Sequence, residues 1–172
     1  NLLVTVKANN GSDPKDFGGN IESWADAYPV YINAPENPNQ LSEWKSLNVA
    51  ARAYTKWDEN YFYVWADVFD NVHHVLTKGK DSWNGDCLQV SFDPLLTKNV
   101  KSYDADDYEY TFSLHPVGEQ VYAFQVAAGK NFGDRPSEWT KIIRDDDKKT
   151  TRYYARIPRS EVEPMILAEK TK

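Results

Sequence analysis

The sequence is poor in the residues that staple small proteins or bind transition metals: one cysteine, one methionine and three histidines among 172 positions. A lone Cys87 excludes an internal disulfide, so stability must come from the core or from a bound ion. Neither an HExxH nor a CxxC spacing occurs, and adjacent His73 and His74 would point to opposite sides of a strand, which excludes a recognisable zinc centre. There is no GxSxG elbow and no glycine-rich phosphate loop. Basic residues are outnumbered, 20 against 26 acidic ones, for a net charge of −6, and no basic stripe marks a nucleic-acid surface. No apolar run approaches the ~20 residues of a membrane-spanning helix, so membrane insertion is not expected. The sequence shows no secretory leader and opens on Asn1 rather than Met. From this we expect a piece of a longer bacterial polypeptide, extracellular or at the cell surface, joined covalently to other domains.

What the sequence does have is aromatic surface. Phe, Trp and Tyr make up 14% of it, with 6 Trp and 11 Tyr, and some of these rings are expected to serve as flat contact surfaces rather than core. Hydrophobic residues at 41% suffice for one core, and the length fits one domain. Short alternating segments separated by turn residues run along the chain. Leu2–Ala8, Tyr28–Asn33, Val49–Thr55, Tyr61–Phe69, Cys87–Asp93, Tyr108–Leu114, Gln120–Ala127, Trp139–Arg144 and Arg152–Ile157 are the expected strands. In the Tyr61–Phe69 segment, Phe62, Val64, Ala66 and Val68 share one face, opposite Tyr61, Tyr63, Trp65, Asp67 and Phe69. Likewise Leu88, Val90 and Phe92 oppose Cys87, Gln89, Ser91 and Asp93, and Tyr110, Phe112 and Leu114 oppose Glu109, Thr111 and Ser113. Lys56 to Asn60 is the expected hairpin turn, and only Ser160–Lys172 has weak helical character. This spacing predicts an all-β, two-sheet antiparallel sandwich of the jelly-roll kind, one domain over residues 1–172.

Three carboxylates, Asp104, Asp106 and Asp107, crowd the approach to the Tyr108 strand. Like charges so close repel unless solvent, a basic partner or a cation relieves them, and hard oxygen donors in a loop suit Ca2+. The run also fits a solvated acidic loop, and it lacks the spacing and central glycine of an EF-hand. Asp145-Asp146-Asp147, followed by Lys148 and Lys149, has the character of an exposed hairpin tip. Cys87 beside an apolar strand suggests a structural thiol. Among 26 acidic residues no pair stands out as a glycosidase dyad, so no catalysis is expected.

A carbohydrate site combines rings that stack on sugar C–H faces with planar polar groups for hydroxyls. Trp83, enclosed by Gly79-Lys80-Asp81-Ser82 and Asn84-Gly85-Asp86, is the ring least suited to a core; the alternative is a ring that seals one end of the sandwich. Positions opposite the core residues add Arg52, Tyr54, Gln89, Ser91, Glu109 and Thr111. Trp24 and Trp57 are expected to pack, and Trp44, Trp65 and Trp139 fit either a platform or packing.

Three blocks carry a family resemblance: IESWADAYPV (21–30), KWDENYFYVWADVFDN (56–71) and SWNGDCLQVSFDP (82–94). They are similar to the opening segment, the WDENY hairpin and the W-x-x-D strand of carbohydrate-binding module family 9 and its related sandwiches. Weaker similarity continues through YDADDYEYTF and YYARIPRSEVEP, so most of residues 21 to 164 are covered. The resemblance implies a non-catalytic module that holds a polysaccharide or oligosaccharide, with Trp83 as one wall of an aromatic clamp. It places Gln89 where the family has an acidic residue and Thr111 where it has an arginine. It also implies structural calcium near Asp104–Asp107, and a second clamp Trp in last strands that would either follow Lys172 or have their place in the sheet filled by another segment such as Leu2–Ala8. Two other readings stay open. One is a haem-binding redox domain of the related sandwich type, with His73, His74, His115 and Met165 as axial candidates. The other is a structural or interaction domain whose sugar site has degenerated at Gln89 and Thr111.

Overall fold

A computed structural model describes residues 21–33, 49–97 and 102–166, together with the backbone of residues 6–7. Its strands are β1 (Val6–Lys7), β2 (Val30–Ile32), β3 (Val49–Trp57), β4 (Tyr61–Asp70), β5 (Cys87–Phe92), β6 (Tyr108–His115), β7 (Gly118–Gln125), β8 (Gly133–Arg135), β9 (Thr140–Asp145) and β10 (Thr150–Pro158). The larger sheet runs β1-β3-β4-β10-β9, with β2 also on β3, and the smaller runs β5-β6-β7-β8. All pairings are antiparallel except that of β1, which lies parallel to β3.

The alternation anticipated from sequence decides which side chains meet between the sheets. Phe62, Val64 and Ala66 from β4 join Trp57, Tyr153 and Ile157, and face Phe92, Tyr110, Phe112 and Val121 of the smaller sheet. Phe62 and Phe92 meet edge-to-face across the interface at 5.1 Å. The hairpin after β3 is tighter than expected, because the strand continues through Trp57 and only residues 58–60 turn. Asp58 makes this possible: its Oδ1 accepts the Asn60 and Tyr61 N–H groups at 2.7 and 2.8 Å, and its Oδ2 accepts the Tyr63 hydroxyl at 2.8 Å. A side chain that satisfies the turn's own donors stabilises a loop too short for backbone bonds alone.

β4 is buried on both faces. Its second face, Tyr63 and Trp65, packs with Trp24, Ala27 and Tyr154, and Trp24 meets Trp65 edge-to-face at 5.7 Å. The short 3-10 helix Ile21–Trp24 is held there by Lys56, itself wholly buried, whose ammonium donates to Ser23 O at 2.7 Å and pairs with Asp26 at 2.5 Å. Trp24, Trp57 and Trp65 are therefore packing residues, and Trp139 is half-buried against the main core. β8 was not anticipated, since Gly-Asp-Arg carries no apolar alternation; it forms as a short edge partner of β7. Where weak helical character was expected after Ser160, the chain makes a 3-10 turn at Arg159–Glu161. Residues 167–172, Trp44 and the rest of the Leu2–Ala8 segment lie outside the described residues.

Candidate functional site

The outward face of the smaller sheet is polar, as the alternation requires. Register sets it in rows: Cys87–Ser113–Gln120, then Gln89–Thr111–Tyr122–Asp134, then Ser91–Glu109–Gln125. Trp83 arrives on the 3-10 helix Gly79–Asn84, which packs on all four strands of this sheet. The helix begins at Gly79, with φ +58°, close enough to the sheet that a Cβ there would lie 3.7 Å from the Tyr122 ring. Successive 3-10 residues point about 120° apart. Ser82 accordingly turns inward, 2% exposed, and Trp83 outward, 49% exposed.

The exit of this helix is pinned. Asp86 N–H donates to His74 O at 2.9 Å, and the Asp86 carboxylate accepts the His74 N–H. Between them, Gly85 lies so near the neighbouring chain that a Cβ would sit 2.6 Å from His74 O and 3.2 Å from Val75 Cα. A Gly85→Ala variant must push backbone apart. We expect a loss of about 1–3 kcal/mol, the usual range for overpacking, together with a shifted Trp83 emission maximum. Urea unfolding and intrinsic fluorescence check this, and an unaltered midpoint would show that the approach is loose.

Beyond Trp83, Glu109 organises the polar rows. Its carboxylate accepts Gln89 Nε2 at 2.9 Å, Ser91 Oγ at 3.3 Å and the Tyr103 hydroxyl. Burial first, and then Glu109, hold the Tyr103 phenol above its ordinary range, so it remains a donor. Glu109 and Thr111 are themselves buried, 7% and 2% exposed, whereas Gln89, Ser91 and Tyr103 reach solvent. Thr111 and Glu109 thus shape the face from beneath, and Trp83, Gln89 and Tyr103 present it. Tyr103 escaped the sequence reading because a loop residue has no period to place it. Phe124 escaped because a bulge opposite Glu109 and Tyr110 inserts one extra residue and exposes its ring.

The structure does not bring Arg52 and Tyr54 to this face. Both lie on β3, on the outward side of the other sheet, with Arg52 bonded to Asp67 at 2.8 Å and Tyr54 against Trp65 at 6.4 Å. Stacked sheets stand about 10 Å apart, so these two residues cannot share a ligand with Trp83. Alternation identifies the polar side of a strand, but strand order decides to which surface that side belongs.

The acidic loop is also rearranged relative to expectation. The carboxylates that converge within 4.8 Å of one another are those of Asp93, Asp106 and Asp107, and this triad could hold a metal ion. Asp104 instead accepts the Thr97 hydroxyl and the Asp106 N–H. Asp93 follows β5, and the Phe92–Tyr108 pairing brings it level with Asp107, a juxtaposition that only the hairpin register creates. Desolvation, then a hydrogen bond with Asp104 and the charges of Asp104 and Asp107, raise the Asp106 carboxyl above its usual range.

Of the other reactive groups, Cys87, His73 and His115 are partly buried and His74 is exposed. Burial, then Asp86 and Glu109, push the Cys87 thiol up to about 11, so it stays protonated and inert. His73 Nε2 lies 3.3 Å from Leu114 O and its Nδ1 3.4 Å from Thr151 Oγ1, while His115 Nδ1 accepts the Val117 N–H at 3.3 Å. Met165 packs at the margin of the main core.

Two sheets packed on an aromatic core, the smaller carrying a half-exposed indole over hydrogen-bonding side chains on its outward face, define a β-sandwich binding module. The profile described as "Carbohydrate family 9 binding domain-like" matches residues 18–158, and the chain belongs to this non-catalytic family. Among solved structures it is similar to a carbohydrate binding module family 9 from Caldicellulosiruptor kristjanssonii in complex with glucose. There the identity is 18%, the TM-score 0.48, and the match covers 87% of this chain and 62% of that one. It is also similar to such a module from the same organism in complex with cellotriose, at 16% identity and TM-score 0.45, covering 92% and 63%. The chain thus spans less than two thirds of the length of either. A search of curated proteins finds no match.

Proposed function

We propose that the outward face of the smaller sheet holds a glycan, with Trp83 as the stacking ring and Gln89 as the hydroxyl partner. One observation carries this reading: the Trp83 indole stands half in solvent on the side of the sheet where Glu109 orients the Gln89 amide. The indole offers a flat apolar surface to sugar C–H groups, and the amide both donates and accepts toward the ring's rim. Tyr103 supplies a second exposed ring on the same face, beyond Ser91. The same reading places the module outside the cell, as one domain of a larger protein acting on or anchored to polysaccharide; family membership supports this setting. Calorimetric titration with glucose, cellotriose and a panel of plant polysaccharides tests the proposal, and absence of saturable binding to every member would overturn it.

The reading includes a structural Ca2+ between Asp93, Asp106 and Asp107. The fit rests on oxygen donors alone, with Asp107 nearly buried and its Oδ2 oriented by the Asp104 N–H at 2.8 Å. Such an ion would tie the end of β5 to the start of β6. At a hundredfold excess over Kd, Ca2+ is expected to raise the melting temperature by about 5–10 °C. An Asp106→Asn variant should lose that response, and a melting temperature equal in Ca2+ and EGTA would exclude the ion.

A further inference from the structure

Among the described residues, the Ile21–Trp24 segment covers part of the outward face of the larger sheet. Beyond that cover, register lays a row straight across four strands: Arg52, Asp67, Arg152 and Ile143. Next to the row opens a cleft of about 270 Å³, walled on its far side by Thr150 and Lys148. Asp67 is its floor, 1% exposed, and it fixes both guanidinium groups. Oδ2 accepts Arg52 Nε and Nη2 at 3.1 and 2.8 Å, and Oδ1 accepts Arg152 Nε at 2.6 Å. Arg152 also lies over the Trp65 ring at 5.0 Å, which sets the plane of its guanidinium. Arg52 Nη1 has no protein partner among the described residues.

We propose that this cleft is a second ligand site, separate from the Trp83 face, which takes the carboxylate of an acidic sugar such as a uronic acid unit. Among the described residues, three cations line it, Arg52, Arg152 and Lys148, against two carboxylates, Asp67 and Asp145, a surplus of one positive charge in a chain of net charge −6. A guanidinium edge matches a planar carboxylate, and a single surplus charge suits a monoanion better than a doubly charged phosphate. Ile143, 41% exposed beside Arg152, offers a C–H surface for a sugar ring, and the Thr150 hydroxyl, which donates to Lys148 O at 3.1 Å, an acceptor for its rim. Because the arginines are already held by a buried carboxylate, binding orders little new side chain.

Calorimetric titration at low salt with methyl glucuronide, methyl glucoside, sodium acetate and inorganic phosphate tests the assignment. We expect saturable binding of the glucuronide, weakening as salt is raised, with methyl glucoside and acetate both weaker. Losing a hydrogen bond to a charged group costs roughly tenfold or more in affinity, and Arg152→Gln should show it. That variant also removes a partner of buried Asp67, so Lys148→Gln, at a side chain 63% exposed, is the companion: it should weaken the glucuronide several-fold without moving the melting temperature. Trp83→Ala should leave this binding intact, which separates it from glycan retention on the smaller sheet. Phosphate or acetate bound as tightly as glucuronide, affinity indifferent to both charge variants, or loss of binding in Trp83→Ala would each overturn the proposal.

Discussion

Replacing Trp83 with alanine is expected to weaken glycan binding by about two orders of magnitude. Stacking an indole contributes about 0.5–1.5 kcal/mol beyond the ~1.5–3 kcal/mol of burying its surface. The ring stands 49% exposed, so much of that surface becomes buried only when a sugar arrives. For the same reason the melting temperature should hardly move, because the helix is retained by Ser82, Gly79 and the Asp86–His74 contacts rather than by the indole. Affinity gels and thermal melts on one pair of samples read both quantities. Unchanged retention would remove Trp83 from the site, and a collapsed melting temperature would show that the ring is a structural seal. Gln89→Ala should have a smaller effect, since it removes one neutral partner and leaves Glu109 bonded to Ser91 and Tyr103.

The largest effect on stability is expected at Asp67. This carboxylate is buried and holds Arg52 and Arg152, and it also accepts Trp65 Nε1 at 3.2 Å. Removing one partner of a buried ion network strands the others, at about 3–5 kcal/mol. Asp67→Ala should lose that much by urea unfolding, and Asp67→Asn, which keeps the shape but not the charge, most of it. The same network makes stability depend on pH. Burial alone would raise the Asp67 carboxyl, but the bonds and charges of Arg152 and Arg52 outweigh it, so the group is held below the usual carboxylate range. A carboxyl lowered in the folded state contributes stability that is complete above its unfolded value and lost as pH falls through the folded one. The unfolding midpoint should therefore decline on acidification below the ordinary aspartate range, and the decline should shrink in Asp67→Asn. An equal acid response in both proteins would assign it to other carboxylates.

Much of the architecture is legible in the sequence. Period-two alternation in Tyr61–Phe69 and Tyr108–Leu114 assigned Phe62, Val64, Tyr110 and Phe112 to the core, and each is there. The polar setting of Trp83 foretold an exposed ring. β8 and the bulge at Phe124 were not legible, because a three-residue edge strand has no pattern and an extra residue breaks one. Tyr103 was hidden by lying in a loop.

By itself, then, the sequence determined which side chains of a strand share a face, since they alternate whatever the strand's neighbours are. Only the tertiary structure decided which polar sides form a common surface. Strand order sent Gln89 and Glu109 to the sheet beneath Trp83 and sent Arg52 and Tyr54 to the other. It also set Asp93 beside Asp106 and Asp107, and Arg52 beside Arg152, over sequence distances that no local pattern spans. Contacts of that kind arise from the hydrogen-bond register between strands, which is fixed when the whole core packs rather than by any one segment.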